Sequence, residues 1–461
     1  MNETILAIDI GSTKISAVIA NINNKKVQIL GHGISASQGI KKGTISNIEL
    51  ASKSIKNALN DAKRVSGTNI SNAIITISNA YAKSINSSGI VNLPNNEITI
   101  KEINRVMQTA LYNAKIPDEY EVIHVLPYNF TVDDQDFVED PFGMNASRLE
   151  VNVNIILTQK SSLSNLKKAI RSAGIEIDGI VLSGYASAIS SMTEEEKSHG
   201  VAVIDLGGQT SNLVVHVGNS IRYNDFLGVG SNHITNDLSM ALHTPLQVAE
   251  SIKINYANLL EISNENIEVP IIGDEDNLKS VSLEMVYNVI FARVEEALMI
   301  LAKSLEKSTL QDQLGAGVIL TGGMTKLKGI RELAQSVFNG LPVRLAQPHD
   351  IDGLFDELKD PSFSSVIGLL LYKAGYHTPY EIDFKQQLLH TKEEHKDNLS
   401  DIKLSPENDN KQSTNEIEIQ LADAHTNFEG EKDIMFDELP DLETEKSGIF
   451  KKVSNWAKQL F

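Results

Sequence analysis

Two short segments of the chain each place an aspartate and glycine directly after a run of apolar, largely β-branched residues. Residues 5–8 lead into Asp9 and Gly11, and residues 201–204 lead into Asp205. Such a run predicts a buried strand, and glycine lets the backbone approach a ligand with its N–H groups exposed. Two facing turns of this kind suit the phosphates of a nucleotide. The predicted phosphate contacts are Asp9, Gly11, Ser12, Thr13 and Lys14 in the first turn and Asp205, Gly207, Gly208, Gln209, Thr210 and Ser211 in the second.

The two aspartates also suit a magnesium ion. Mg²⁺ prefers one or two carboxylates plus phosphate oxygens to a full protein cage, so Asp9 and Asp205 are predicted to hold it through its waters. An isolated aspartate at a strand end usually caps a turn, and one short glycine turn is a weak indication of phosphate. The repetition of the turn at equivalent points of two halves favours the nucleotide site.

The composition limits the class of protein. The chain has 461 residues, 41% of them hydrophobic and 22% charged, no cysteine, and a formal net charge of −19. This length predicts roughly three or four structural units, and the negative charge argues against a general nucleic-acid binder. No apolar run approaches the roughly 18 residues that a membrane span needs. The apolar N-terminal segment is interrupted by Asp9 and Lys14, so we expect a core strand and not a signal peptide, and hence a cytoplasmic protein.

Hydrophobic periodicity predicts alternating strands and helices over about the first 375 residues. Strands are predicted near 26–33, 122–132 and 149–157, and helices near 48–65, 103–114, 163–173, 283–305 and 363–374. Beyond residue 380 charged and amide residues dominate, with 14 acidic and four basic residues between 401 and 446. Such a segment buries too little apolar surface to offset the entropy of ordering, so 381–446 is predicted to be an acidic disordered linker.

A third glycine turn completes a resemblance to the superfamily of actin, Hsp70 and the sugar kinases. The turn follows residues 318–321 and contains Gly322, Gly323 and Met324. In that superfamily this turn lies under the adenosine, and a helical Glu-x-x-Lys, matched here by Glu250 and Lys253, holds ribose and adenine. The resemblance therefore implies ATP and Mg²⁺ as cofactors. The alternative for Glu250 and Lys253 is an ordinary i, i+3 ion pair on a helix surface.

Two further segments resemble the bacterial cell-division actin homologues of the FtsA family, namely Pro-Phe-Gly-Met-Asn-Ala-Ser-Arg-Leu-Glu-Val at 141–151 and the stretch 236–253. The resemblance implies an α/β, two-lobed actin-like (ribonuclease H-like) ATPase-type fold with inserted subdomains. The implied segments are a first core subdomain at 1–82 and 162–199, an inserted subdomain at 83–161, a second core subdomain at 200–235 and 313–380, a helical insert at 236–312, the linker at 381–446 and an amphipathic helix at 447–461.

Departures from the superfamily pattern bear on catalysis. Hsp70-like relatives carry Glu-Pro before the helix that leads to the second turn, where this chain has Ser183 and Gly184. Their Gly-Gly-Gly-Thr-Thr-Asp turn here contains Gln209 and ends in Asn212. Phosphoryl transfer to water needs a residue that positions the water, and serine cannot accept a proton as a carboxylate does. Gln209 could orient water itself. We expect ATP and Mg²⁺ binding with weak or negligible hydrolysis.

Residues 447–461 have the pattern of a basic amphipathic helix that lies on a membrane. Apolar residues recur at helical spacing and lysines occupy the other side. The residues predicted to contact an anionic membrane are Ile449, Phe450, Lys451, Lys452, Val453, Trp456, Lys458, Leu460 and Phe461. The alternative is a terminal helix docked on the core. One such tail would hold weakly, whereas many tails linked in a filament would hold firmly, so self-assembly and membrane attachment are expected to be coupled.

The FtsA resemblance implies a cell-division protein that polymerises on the cytoplasmic side of the inner membrane at the division site. It is expected to anchor filaments of the tubulin-like FtsZ and to meet further division proteins. The C-terminal peptide of FtsZ is expected on the helical insert, with Asn236, Arg293 and Glu296 as contacts, although a solvated helix face is the alternative there. Two other functions stay open: a small-molecule kinase or ATPase on the same fold, and an actin-like scaffold of a pilus or secretion machine. The 141–150 segment and the tethered tail favour division.

Overall fold

The computed structural model describes residues 2–78, 80, 82–218 and 220–389. The strands are β1 (Asn2–Ile10), β2 (Lys14–Asn23), β3 (Lys26–Ala36), β4 (Ile40–Lys41), β5 (Thr44–Ile45), β6 (Asn72–Ile77), β7 (Ala82–Asn92), β8 (Tyr120–Val132), β9 (Gln135–Val138), β10 (Arg148–Gln159), β11 (Glu176–Leu182), β12 (Val201–Leu206), β13 (Ser211–Val217), β14 (Ser220–Leu227), β15 (Asn266–Ile271), β16 (Asp274–Ser282), β17 (Val318–Thr321) and β18 (Val343–Leu345). The helices are α1 (Ile48–Ser66), α2 (Ile100–Asn113), α3 (Lys160–Ser172), α4 (Ser183–Ser191), α5 (Glu194–His199), α6 (Ser231–Leu242), α7 (Leu246–Tyr256), α8 (Leu283–Lys307), α9 (Ile330–Val337) and α10 (Ser364–Leu371). Within the described ranges, no helix is both long enough and apolar enough to cross a membrane.

The sheet of the first lobe has five strands in the order β11-β6-β1-β2-β3. Strands β1, β2 and β3 are antiparallel neighbours, while β6 pairs parallel with both β1 and β11. Residues 5–8 of β1 are buried, as their apolar run predicts. Helix α1 packs on this sheet. It begins where the Asn47 side chain accepts a hydrogen bond from the Leu50 N–H and ends at Gly67, which has a φ of 67°, so a polar cap and a left-handed glycine set its limits.

The sheet of the second lobe repeats this arrangement with the order β14-β13-β12-β17-β18. Again three antiparallel strands are followed by two parallel ones, so β12 is the counterpart of β1 and β17 the counterpart of β6. Asp9 and Asp205 are each the last residue but one of their strands. The duplication confirms the predicted two-lobed α/β fold and places the two aspartates at equivalent positions.

A separate antiparallel sheet, β7-β10-β8-β9, lies in the chain between β6 and α3 and carries helix α2 on one face. It has its own apolar core, which includes Ile103, Met107 and Leu149. A Cβ at Gly89 of β7 would lie 2.4 Å from the carbonyl oxygen of Val106 in α2, so the helix backbone rests directly on the strand. We call this unit the inserted subdomain.

Helices α6, α7 and α8 form most of the second insertion, and α8 confirms the helical spacing predicted at 283–305. Besides these helices, the insert contains an antiparallel hairpin of β15 and β16, which the sequence did not predict. Few of its side chains are buried: Val269 and Val281 are, whereas Leu278 remains 53% exposed. An alternation this short and this weakly apolar gives little strand signal in the sequence.

Helices α4 and α10 cross between the lobes. A Cβ on Gly368 of α10 would lie 1.8 Å from the carbonyl oxygen of Ala186 in α4, so the two backbones touch. The apolar helix predicted at 363–374 is α10 followed by one wider turn, Tyr372–Tyr376, which Gly375 closes with a φ of 97°. The crossing needs glycine because any side chain would separate the helices.

The structure corrects the predicted start of the acidic linker at residue 381. Glu381 and Ile382 are fully buried, and Ile382 exchanges backbone hydrogen bonds of 2.9 and 3.0 Å with Val125 of β8. Leu388 packs on the core of the inserted subdomain and Leu389 on that of the first lobe. Residues 381–389 therefore belong to the folded body, and the rest of the predicted linker and the predicted amphipathic helix lie outside the described residues.

Candidate nucleotide-binding site

The first acidic turn presents Asp9 at the end of β1. The Thr76 hydroxyl of β6 donates to Asp9 Oδ1 at 2.9 Å and accepts the Ile10 N–H at 2.9 Å. Burial raises the pKa of Asp9 to about 6; the Thr76 hydrogen bond opposes this shift, and the nearby charge of Asp205 adds to it. The Asp9 carboxylate is therefore poorly solvated and lies beside a second acid, which favours the arrival of a cation.

The second acidic turn presents Asp205 at the end of β12. Its Oδ2 accepts hydrogen bonds from Ser187 of α4 at 2.6 Å and from Ser365 of α10 at 3.3 Å. Burial raises the pKa of Asp205 above its usual range, against the lowering effect of these hydroxyls and of Lys14. Both crossing helices thus orient this carboxylate.

Lys14 supplies a positive charge that acts on both acids. Its Nζ donates to Ser362 Oγ at 2.6 Å and lies 3.0 Å from the centre of the Phe363 ring. Burial lowers the pKa of Lys14 to about 8, and the negative charge of Asp9 opposes that shift. The site therefore holds one partly desolvated ammonium group and two carboxyl groups with raised pKa values. An added cation would stabilise the charged forms of these carboxyls.

The two turns touch each other. A Cβ on Gly208 would lie 1.7 Å from Thr13 Oγ1, so the glycine admits the threonine of the opposite lobe. Ser12 Oγ accepts the Gly43 N–H at 2.8 Å, and Gln209 Oε1 accepts the Lys42 N–H at 2.9 Å. The predicted phosphate contacts of the two lobes are therefore brought together.

Other residues of the second turn have structural partners. Gly207 N–H donates to the Thr210 carbonyl at 2.8 Å, which closes the turn, and the buried Ser211 hydroxyl donates to the Val229 carbonyl at 2.8 Å. The side chain of Ser211 is thus committed to β14 and its following loop, while the backbone of the turn stays at the cleft.

The third glycine turn packs against the second acidic turn. Gly322 has a φ of 91°, and a Cβ there would lie 2.4 Å from Asp205 Oδ1 and 2.6 Å from the Leu206 carbonyl oxygen. Gly323 is open by comparison, with Ser362 Cβ at 3.3 Å from its Cβ position. The Met324 side chain is buried in the second core, so its contribution at the cleft is limited to its backbone.

Glu250 and Lys253 lie together on α7. Lys253 Nζ is 2.7 Å from Glu250 Oε2 and donates to Thr235 Oγ1 at 2.9 Å and to the Ser231 carbonyl at 3.3 Å. The side chain of Lys253 is 8% exposed and that of Glu250 is 44% exposed. The pair is therefore fixed to α6 as well as to itself, which is more than a surface i, i+3 pair requires.

Two of the four residues that depart from the superfamily pattern, Ser183 and Asn212, face each other. Asn212 Nδ2 donates to Ser183 Oγ at 3.4 Å, and the Asn212 Oδ1 atom is buried with no protein partner among the described residues. Asn212 pairs directly with Asp205 across β12 and β13. A neutral amide and a hydroxyl therefore occupy the place next to Asp205.

Sequence reasoning missed the hydroxyl groups that position the two carboxylates. Thr76, Ser187 and Ser365 carry out this role, and Thr321 lies beside Asp205 in β17 as the counterpart of Thr76 in β6. A threonine at the end of each parallel strand was the available signal. The serines of α4 and α10 had none, because isolated serines in an apolar helix carry no spacing pattern.

The predicted docking residues lie on neighbouring helices. Arg293 of α8 donates through Nε to Asp237 Oδ2 of α6 at 2.6 Å and also pairs with Glu296. Asn236 is exposed on α6 next to Asp237. Arg293 thus links Glu296 to Asp237 of α6, and Asn236 is the residue before Asp237 in that helix. The predicted membrane residues, from Ile449 to Phe461, lie outside the described residues.

Two lobes of the same strand order, an acidic glycine turn on each and a third glycine turn against the second define an actin-like protein. Comparison with known proteins gives the family. The profile described as Cell division protein FtsA matches residues 202–368, and the profile described as SHS2 domain inserted in FTSA matches residues 79–157. The chain is 40% identical over 415 residues to Cell division protein FtsA of Helicobacter pylori, covering 83% of this chain and 84% of that protein. The chain belongs to the FtsA family, which confirms the resemblance found in the sequence.

More distant relatives carry the same description. Cell division protein FtsA of Pseudomonas aeruginosa is 35% identical over 372 residues, which cover 80% of this chain and 88% of that protein. The protein of the same description from Escherichia coli K12 is 29% identical over 394 residues, 83% of this chain and 93% of that protein. Among solved structures, a chain of the PilM-PilN type IV pilus biogenesis complex superposes with a TM-score of 0.57 at 18% identity, covering 80% of this chain and 98% of that chain. That likeness concerns the fold alone.

Proposed function

We propose that this protein is an ATP-binding, actin-like cell-division protein that polymerises on the cytoplasmic membrane at the division site and anchors FtsZ filaments there. The proposal rests above all on one observation. Asp9 and Asp205 stand at equivalent strand ends on turns that touch across the cleft, in a chain of the FtsA family. A phosphate chain with a divalent cation is the ligand that such a pair suits best.

The residues present fit Mg·ATP. Asp9 and Asp205 would hold the ion through its waters, and Lys14 and the backbone of the two turns would meet the phosphates. The raised pKa values of both carboxyls supply the physical support, because a cation stabilises the charged forms that burial disfavours. Bound Mg²⁺ would neutralise phosphate charge. The adenosine would lie between the Gly322 turn and the Glu250–Lys253 pair.

We expect slow hydrolysis or none. The position next to Asp205 holds the neutral Ser183–Asn212 pair, which offers no carboxylate base. A water needs an acceptor to orient and deprotonate it. Release of phosphate in single-turnover assays checks this expectation. Turnover at rates of about 1–100 s⁻¹, which kinases reach, would favour the kinase alternative.

The membrane part of the proposal depends on residues 447–461 and their basic amphipathic pattern. One such segment inserts only partly and must be ordered on binding, so it would hold reversibly. Filament formation raises the local number of tails, and attachment then becomes firm. Other division proteins are expected partners of the assembled form.

The decisive experiment is cosedimentation of the full chain with liposomes of phosphatidylglycerol and phosphatidylethanolamine in the presence of Mg·ATP. The full chain should pellet with the liposomes and should recruit a labelled FtsZ C-terminal peptide. A variant that lacks residues 447–461 should stay in the supernatant and still bind ATP and the peptide. Liposome binding that survives this deletion unchanged contradicts the proposal.

A further inference from the structure

A small hairpin of the first lobe lies over the two acidic turns. Its strands β4 and β5 are two residues long, and its tip consists of Lys42, with a φ of 46°, and Gly43, with a φ of 78°. Positive φ at both central residues is what a type I′ hairpin turn requires. The chain therefore turns as tightly as it can and presents two consecutive backbone N–H groups at the tip.

The base of this hairpin is fixed. The Gly39 carbonyl accepts the N–H groups of Ser46 and Asn47 at 2.8 and 3.0 Å, and Ile40 is buried in the core of the first lobe. Asn47 is also the cap of α1. Because the base is tied to a helix and to the core, the position of the tip is set by the fold of the first lobe.

The tip bridges the two acidic turns. Gly43 N–H donates to Ser12 Oγ in the first turn, and Lys42 N–H donates to Gln209 Oε1 in the second, at 2.8 and 2.9 Å. The Ser12 hydroxyl can also donate a hydrogen bond, and Gln209 can donate through Nε2, whereas its Oε1 atom only accepts. An anion placed between the turns can therefore take over these N–H groups, with the Ser12 hydroxyl and Gln209 Nε2 as further donors to it. The contact at Gln209 Oε1 is exposed, so water can replace the donor that this oxygen loses.

The location of the tip along the second turn indicates which phosphate it would meet. Gly322, on the proposed adenosine side, packs against Leu206 at the start of that turn. The tip is bound at the other end, at Gln209. A nucleotide that enters over Gly322 and runs along the turn would therefore bring its last phosphate to the hairpin tip. The Cδ atom of Lys42 lies 3.6 Å from the Cβ position of Gly228, so the Lys42 side chain extends toward the loop that follows β14 of the second lobe.

We propose that the Lys42–Gly43 tip is a ligand of the terminal phosphate, through its two N–H groups and the Lys42 ammonium, and that it makes the protein distinguish ATP from ADP. This inference rests on the proposed nucleotide binding. It adds to the two acidic turns and the Gly322 turn a further element of the site, contributed by a hairpin that lies outside all three in the chain.

Calorimetric titration of the full chain with Mg·ADP and with a non-hydrolysable Mg·ATP analogue tests this role. Gly43→Ala places a Cβ 2.1 Å from Ser78 Oγ at positive φ and should displace the tip. The variant should bind the ATP analogue about tenfold more weakly, which is the effect of losing one or two charge-assisted hydrogen bonds. Its affinity for ADP should change by less than about twofold. Lys42→Ala keeps the two N–H groups, so it should lose less affinity for the ATP analogue than Gly43→Ala does. Its affinity for ADP should again change less than its affinity for the analogue.

Gly67→Ala is the matched control. It imposes positive φ, here 67°, on an alanine in the same lobe, where nothing lies within 4 Å of the new Cβ. It should leave both affinities unchanged. If both tip variants lose affinity equally for the ATP analogue and for ADP, or if neither variant loses affinity, the proposed role of the tip is overturned. The proposal that the protein binds nucleotide would still stand. A wild-type chain that binds neither nucleotide overturns the proposed function and this inference together.

Discussion

His124 Nδ1 lies 2.6 Å from Glu381 Oε1, and both side chains are fully buried although 257 residues separate them. His124 Nε2 accepts the Leu182 N–H at 3.1 Å, so the Nδ1 atom carries the proton that Glu381 receives as a hydrogen bond. The hydroxyls of Tyr185 and Tyr372 donate to the same carboxylate at 3.0 and 2.7 Å. One carboxylate therefore joins β8 of the inserted subdomain, the first lobe and the 381–389 segment.

Replacement of Glu381 by alanine should lower the free energy of unfolding by about 3–5 kcal/mol. The loss follows from two buried donors that would remain without an acceptor, His124 Nδ1 and the Tyr372 hydroxyl, since the Tyr185 hydroxyl keeps its 2.9 Å contact with Thr378 Oγ1. Urea denaturation followed by circular dichroism measures it. The matched control is Glu357→Ala, which removes the other histidine–glutamate pair, His32–Glu357, whose glutamate is 62% exposed. That change should cost less than about 1 kcal/mol, and equal costs for the two variants would refute a special role for the buried pair.

Nucleotide binding should weaken in mild acid. A metal ion needs the carboxylate form of Asp9, whose pKa is raised to about 6. Below that pH the proton competes with the ion, so affinity for Mg·ATP should fall by up to about tenfold per pH unit, whereas above pH 7 it should be flat. Calorimetry in buffers of different ionisation enthalpy should detect proton release near pH 6. Constant affinity from pH 5 to 8 contradicts the assignment of Asp9.

Asp9→Asn should separate stability from binding. The folded state holds the Asp9 proton more tightly than the unfolded state, so this residue favours folding in acid and disfavours it increasingly as pH rises from about 4 to 6. Asparagine keeps an acceptor for Thr76 and removes the charge. At pH 7.5 without nucleotide the variant should gain about 1 kcal/mol in unfolding free energy, after allowance for partial exposure, and should lose Mg·ATP binding. Asp61→Asn on the exposed side of α1 should change neither quantity.

Two adjacent glycines should respond differently to alanine. Gly322→Ala forces an L-residue to a φ of 91° and brings its Cβ to 2.4 Å from Asp205 Oδ1. We expect a loss of about 2–3 kcal/mol in stability and a parallel loss of nucleotide affinity, because Asp205 must move. Gly323→Ala has only Ser362 Cβ at 3.3 Å and should stay within about 0.5 kcal/mol of wild type. Similar melting temperatures for the two variants would contradict the geometry.

Charge reversal at Arg293 should weaken binding of the FtsZ C-terminal peptide. Arg293→Glu breaks the contact with Asp237 and places like charges together beside Glu296, so affinity measured by fluorescence anisotropy should fall at least about tenfold. Lys303→Glu, an exposed position on the same helix, makes the same charge change away from this surface and should alter affinity by less than about threefold. Loss in both variants would point to net charge and not to a docking surface.

The sequence was sufficient for the duplicated cores because their strands are long apolar runs. The run before Asp9 and the run before Asp205 are each followed by a glycine turn. Because the motif occurs twice, the sequence alone predicted that the two turns are equivalent. The helix at 283–305 was equally accessible, since its buried residues recur at helical spacing over 25 residues of α8.

What the sequence did not reveal depends on contacts between distant segments. Glu381 looks like the first acid of a charged linker, and only the burial of His124 and two tyrosines explains its place in the core. The Lys42–Gly43 tip reads as an ordinary surface turn, because neither Ser12 nor Gln209 is near it in the chain. Serines 187 and 365 meet Asp205 only because α4 and α10 touch at Gly368.

The 381–389 segment ends the described part of the chain and is held by the first lobe and the inserted subdomain. Its leucines are seated in the cores of the first lobe and the inserted subdomain, and Lys385 adds a 2.9 Å contact with Asp178 of β11. Tension applied through the residues that follow would therefore reach these two parts first. The inserted subdomain would pass it on to β14 of the second lobe, because Asn154 Nδ2 of β10 donates to the Ile221 carbonyl at 2.9 Å.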